Sequence, residues 1–306
     1  MSGLHGALDE YLALRRAVGF KLIAAGTLLP GFVAYLDSVG AETITIETAL
    51  AWALRTSNPA RASTRLAVVR GFARYLQALD PRTEVPEPRL LVAARGRPIP
   101  YLYSEGEITS LMAAARALAP SLWAATCETV IGLLWATGMR IGEVLRLERS
   151  DVRWDESVLV VRLAKFDKSR YVPLAASTLC ALAAYDEQRR RQRLCPDPPS
   201  FFVSIAGGRL NYLGIHREFA GLLSKTGIPT IHRARRPRLH DLRHSFAVRT
   251  LLGWYRAGED VQALLPRLST YLGHVDPTST YWYLSAAPEL LAMAATRLES
   301  LEGRPS

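Results

Sequence analysis

HDLRHSFAVRT (His240–Thr250) and YLGHVDPTSTYWYL (Tyr271–Leu284) lie close together near the end of the chain. His-x-x-Arg spacing puts His240 and Arg243 one turn apart on the same face of a helix. His274 and Tyr283 stand nine positions apart. Between them Asp276-Pro277 signals a helix start, with Asp as N-cap and Pro at the first helical position. A cation, two imidazoles and a phenol suit the handling of a phosphodiester. The arginine can hold nonbridging oxygens, an imidazole can move a proton, and the phenol can act as nucleophile.

The surroundings carry the same sign. Between Lys225 and Arg249 there are seven cations, Lys225, Arg233, Arg235, Arg236, Arg238, Arg243 and Arg249, against one acid, Asp241. That is the most positive segment of the chain, as phosphate chemistry would require. The whole protein of 306 residues has a net charge of +10. Such a balance fits a polyanionic partner, and equally a basic soluble enzyme rich in arginine. Lysine occurs only at Lys21, Lys165, Lys168 and Lys225, so nearly all the positive charge is arginine.

Other features narrow the class. Hydrophobic residues at 49% can bury real cores, which excludes a disordered chain. Cys127, Cys180 and Cys195 are far apart without CxxC spacing, which fits a reduced cytoplasmic chain without a zinc site. The N-terminus has no basic stretch followed by an apolar run, so no signal peptide is expected. No apolar run reaches about 18 residues, so no membrane span is expected.

Residues 4–80 read as helices, by apolar positions at helical spacing. On the helix opened by Asn58-Pro59, Arg61, Arg65, Arg70 and Arg74 recur at helical intervals; they form either a solvated face or a face lying against phosphates. Prolines accumulate from Asp80 to Pro100, marking an extended linker, 91–100, between a helical domain over 1–90 and a second domain over 101–306. Ser104-x-x-Glu107 is a capping box opening the second domain. Residues 121–147 hold a long apolar helix and then ATGMRIGEVLRL; Thr137-Gly138 breaks the helix, placing Arg140 at or near the start of the next with Glu143 three residues on. Val158–Leu163 and Arg170–Leu174 flank Lys165-Phe166-Asp167-Lys168 as a β-hairpin with a polar tip, after a shorter strand near Val152. Helices return at 176–193, where Arg189, Arg190, Arg191 and Arg193 read as a solvated end, at 212–226 and at 285–299.

Arg140 in ATGMRIGEVLRL, Lys165 in a hairpin turn, His240-x-x-Arg243, His274 in LGH and Tyr283 occur in a definite order. That series resembles the tyrosine recombinase (phage integrase) family over essentially the whole chain, and the closing YWYLSAAPELL resembles integrases carried by transposons. The resemblance implies a mainly α fold. An N-terminal helical core-binding (SAM-like) domain would precede a mixed α/β catalytic domain with a small antiparallel β-sheet. It implies a site-specific recombinase or integrase that cuts and rejoins double-stranded DNA through a 3′-phosphotyrosyl intermediate and a Holliday junction. Neither metal, ATP nor another cofactor is implied. The implied assembly is a homo-tetramer on DNA, with related recombinases as alternative partners.

By the same resemblance, Arg140 and Arg243 would clamp the nonbridging oxygens. Lys165 would be the general acid for the leaving 5′-oxygen. His240 would exchange a proton with the tyrosine or support the phosphate, His274 would bond to the phosphate, and Tyr283 would be the nucleophile. Glu143 would hold the Arg140 helix. Alternatives stay open: Lys168 against Lys165, Tyr281 against Tyr283, and the terminal helix docking on a neighbour or on its own domain. His244 is expected to be packed or hydrogen-bonded, since HDLRH lacks the glutamate of a metal-binding HExxH. A type IB topoisomerase shares this chemistry, and a DNA-binding protein that has lost catalysis is the non-enzymatic reading.

Overall fold

The computed structural model describes residues 3–91, 100–162, 169–192, 194, 197–228, 236–274 and 278–286. The chain divides into two compact units, Met1–Pro98 and Ile99–Ser306.

The first unit holds α1 (Gly3–Ala17), α2 (Ile23–Ser38), α3 (Ile46–Ala53) and α4 (Pro59–Gln77). Apolar residues three and four apart turn one stripe of each helix inward. Leu8 and Tyr11, Leu29, Phe32 and Leu36, Trp52, and Leu66, Val69 and Phe72 share one buried core. Thr45 caps α3, and the Asn58 side chain accepts from the Ala60 and Arg61 N–H groups ahead of Pro59. The periodic arginines of α4 divide. Arg61 and Arg74 are exposed. Arg70 donates to the carbonyls of Pro86 and Glu87, while Arg65 donates to the Trp52 carbonyl and lies over its ring. Two of the four therefore tie down their own unit.

In the second unit, α5 (Glu105–Arg116) opens with the Ser104–Glu107 capping box and packs on α6 (Ser121–Thr137), which is followed by α7 (Ile141–Val144). The strands β1 (Val152–Arg153), β2 (Val158–Arg162) and β3 (Ser169–Pro173) form an antiparallel sheet in sequence order. Its register pairs Val158 with Pro173 and Arg162 with Ser169. Period-two alternation buries Leu159, Val161 and Val172 in the core of this unit. The hairpin tip, 163–168, with Lys165 and Lys168, lies outside the described residues.

Helices α8 (Ala176–Arg191), α9 (Tyr212–Lys225), α10 (Leu239–Arg256), α11 (Val261–Leu272) and α12 (Thr278–Ala286) complete the unit. Arg189 departs from the expected solvated helix end: it is 1% exposed and donates to Asp197 and the Pro198 carbonyl. Arg190 and Arg191 remain exposed. Helix α11 was not anticipated. Asp260 caps it, and Pro266 sits on its exposed face, where the carbonyl left without a donor can reach water. Apart from the start that α12 shares, the helix expected over 285–299 lies outside the described residues.

Candidate active site

Two helices end on glycines in the left-handed conformation, and the site is built around those ends. Gly138 (φ 61°) terminates α6 and Gly273 (φ 67°) terminates α11. A glycine adopts this conformation without the steric penalty a Cβ brings. The last carbonyls of a helix lack intrahelical donors and carry its negative dipole end, so they attract cations. Here three arginines take successive carbonyls of α11. The Tyr271 carbonyl accepts from Arg170 Nε at 2.9 Å, Leu272 from Arg243 Nη2 at 2.7 Å, and Gly273 from Arg140 Nη2 at 2.9 Å. Arg243 Nη1 donates to the Gly138 carbonyl at 2.8 Å, so one guanidinium joins both helix ends.

Glu143 sits beneath this row. Its carboxylate accepts two bonds from Arg170 at 3.0 and 2.8 Å. It takes two more from Arg140, one from the side chain at 3.0 Å and one from the backbone N–H at 2.8 Å. Burial works against its ionisation, but the Arg170 bonds and charge, joined by Arg140, prevail and hold the carboxyl at about 2. Glu143 therefore fixes Arg140 at the N-cap of α7. Arg140 keeps 37% of its side chain exposed and can reach a ligand. Arg243 is 2% exposed; burial first, and the Arg140 charge second, lower its pKa to about 10, so it is still protonated at neutral pH.

The imidazoles and the phenol meet between α10 and α12. His240 lies at the start of α10 and is exposed. The packing around its ring, then the charges of Arg243 and Arg238, lower its pKa, leaving it neutral at pH 7. One turn on, the His244 ring meets the His240 ring edge to face, with centroids 4.8 Å apart. His244 Nδ1 stands 3.2 Å from the Tyr283 hydroxyl. The His274 N–H bonds to the Ser269 carbonyl, and His274 Nδ1 lies 2.7 Å from Thr280 Oγ1. The His274 and Tyr283 rings are stacked at 6.1 Å. Tyr283 is 2% exposed, whereas Tyr281 is 52% exposed.

Among the described residues no group of three His, Cys, Asp or Glu side chains could hold a metal, and no helix is long and apolar enough to cross a membrane.

The family model of the phage integrase family matches residues 102–289. Over 308 residues the chain is 44% identical to a putative integrase/recombinase, y4rB, of Sinorhizobium fredii, covering 98% of each. The chain belongs to the phage integrase family. It is an enzyme of the tyrosine recombinase class, and is 33% identical over 241 residues to tyrosine recombinase XerD of Caulobacter vibrioides, covering 77% of this chain and 73% of that one. Among solved structures, the recombinase is similar to the Tn1549 transposon integrase in complex with transposon right end DNA. The TM-score is 0.68 at 16% identity, over 97% of this chain and 99% of that one. It is also similar to a lambda integrase dimer bound to a COC′ core site, with TM-score 0.63 at 18% identity, over 92% and 76%. At these identities the likeness is one of fold.

Arg170 is the member of the recombinase site that the sequence reading missed. It occupies the β3 face shared with Val172, so a charge at an inward-facing position was the available signal. The contact of His244 with Tyr283 was not foreseen either, although His244 was expected to be packed or hydrogen-bonded.

Proposed function

We propose that the protein is a site-specific DNA recombinase of a mobile element, cutting and rejoining duplex DNA through a 3′-phosphotyrosyl intermediate and a Holliday junction. The observation that carries this reading is the position of Tyr283, its hydroxyl on His244 and its ring on His274, beside the helix end where Arg140 and Arg243 are anchored. The DNA complexes formed by the structurally similar integrases support duplex DNA as the partner.

In this mechanism Arg140 and Arg243 neutralise the charge that gathers on the nonbridging oxygens. The Tyr283 oxygen attacks phosphorus, the P–O5′ bond breaks, and the 5′-oxygen takes a proton from Lys165. His240 and His274 support the phosphate. Burial of Tyr283 beside two imidazoles favours it over Tyr281 as the nucleophile. The phosphotyrosine conserves the bond energy of the broken phosphodiester, so rejoining is balanced without ATP. Residues 1–90 and 101–306 each bind DNA. The assembly is a homo-tetramer, and its place is the cytoplasm.

The test is a nicked duplex carrying a site that the protein selects from random sequence, designed so that the cleaved fragment diffuses away. A covalent protein–DNA band, together with joint molecules from two labelled duplexes, is expected. A band with relaxation of supercoiled DNA and no joint molecules would favour the topoisomerase reading. No band would leave only a binding protein.

A further inference from the structure

The phenol is held by the second histidine of HDLRH. His244 Nδ1 is 3.2 Å from the Tyr283 hydroxyl, and the two ring centroids are 5.4 Å apart. Trp282 packs edge-on to the imidazole at 5.4 Å. His240 does not hold that position: its ring abuts His244 and its surface is open. A Tyr283 phenolate and the Arg243 guanidinium would attract one another. A phenol of ordinary pKa about 10 needs a positive field, a base, or both, to become a nucleophile near neutrality.

We propose that His244 is the base that accepts the Tyr283 proton during strand cleavage and returns it during rejoining. The inference rests on the reading of Tyr283 as nucleophile. The step balances as follows. Neutral His244, protonated at Nε2, receives the phenolic hydrogen at Nδ1 as the Oη–H bond breaks and the Oη–P bond forms. The P–O5′ bond breaks, and the 5′-oxygen takes its proton from a separate acid. On rejoining, the 5′-hydroxyl attacks phosphorus and gives its proton back to the conjugate base of that acid, the Oη–P bond breaks, and the imidazolium hands its proton back to the phenolate. His240, one turn earlier on α10, is left to serve the phosphate, which divides the work of the two histidines.

Asparagine is the discriminating replacement, because its Oδ1 can take the place of Nδ1 and accept the phenolic hydrogen bond but not the proton. His244→Asn should bind the nicked duplex like wild type and form covalent adduct about 10²–10⁴-fold more slowly in a single turnover. A ring-fluorinated tyrosine at position 283, with a more acidic phenol, should narrow the gap between His244→Asn and His244 enzyme by about tenfold or more. Adduct formation by His244→Asn at the wild-type rate would overturn the proposal. So would fluorination that narrows the gap for His240→Gln and leaves that for His244→Asn unchanged. If His244→Asn lowers the melting temperature or loses duplex binding, His244→Gly with added imidazole is measured instead: adduct rising with imidazole supports the proposal, and no rise overturns it. Adduct persisting in Tyr283→Phe would be a different result, because it removes the nucleophile reading itself and the proposal with it.

Discussion

Replacing Glu143 by Gln should cost the second unit about 3 kcal/mol at pH 7. The carboxylate takes four donations from Arg170 and Arg140 in a site where it is almost wholly buried. Glutamine keeps the shape but removes the charge, and its NH2 group faces guanidinium donors. The fall of the Glu143 pKa from 4.5 to about 2 corresponds to about 3 kcal/mol, at roughly 1.36 kcal/mol per decade. Breaking a buried pair by removing one partner costs about 3–5 kcal/mol, which agrees. The folded-state pKa is depressed, so this stability is fully present above 4.5 and is lost as pH falls through about 2. The gap between wild type and variant should therefore narrow below pH 4.5. Urea unfolding followed by tryptophan fluorescence suits the measurement, since of the six tryptophans only Trp52 belongs to the first unit. A gap under about 1 kcal/mol at pH 7, or one unchanged down to pH 3, would refute the role given to the carboxylate.

Gly138→Ala should destabilise the second unit by about 2–4 kcal/mol by thermal or urea melting, adding left-handed strain to overpacking. At φ 61° its Cβ would meet Phe246 Cδ1 at 2.4 Å. Lys165→Ala should cleave ordinary DNA about 10²–10⁴-fold more slowly and recover on a substrate with sulfur at the 5′-bridging position, because a thiolate leaves without a proton. Recovery of Lys168→Ala in its place would assign the acid to the other hairpin lysine. Duplex affinity should fall with salt along a log–log slope of about −0.9 per neutralised phosphate; a flat titration would contradict binding to the DNA backbone.

The sequence displayed those features that depend on neighbours along the chain. The Asn58 and Ser104 caps, the break at Gly138 and the alternation in β2 and β3 each follow from residues a few positions apart. Features that depend on distant partners were hidden. Arg70 looked like part of a solvated or phosphate-facing stripe, but its acceptors are carbonyls at Pro86 and Glu87. Arg189 looked like the end of a polar helix, but Asp197 draws it inward. Pro266 disguised α11, the helix whose final carbonyls organise the site. The series Arg140, His240, Arg243, His274, Tyr283 was readable through its resemblance to the tyrosine recombinase family. That Arg170 joins Glu143 in bracing Arg140, and that His244 meets the phenol, required the fold to bring β3, α7, α10 and α12 together.

The central claim is that Tyr283 becomes joined to DNA. Trapping the protein on the nicked duplex, digesting it with trypsin and sequencing the DNA-linked peptide by mass spectrometry reads this directly. The account predicts a nucleotide on Tyr283, and no trapped product from Tyr283→Phe although it binds the duplex like wild type. A nucleotide on Tyr281, or adduct persisting in Tyr283→Phe, would contradict it.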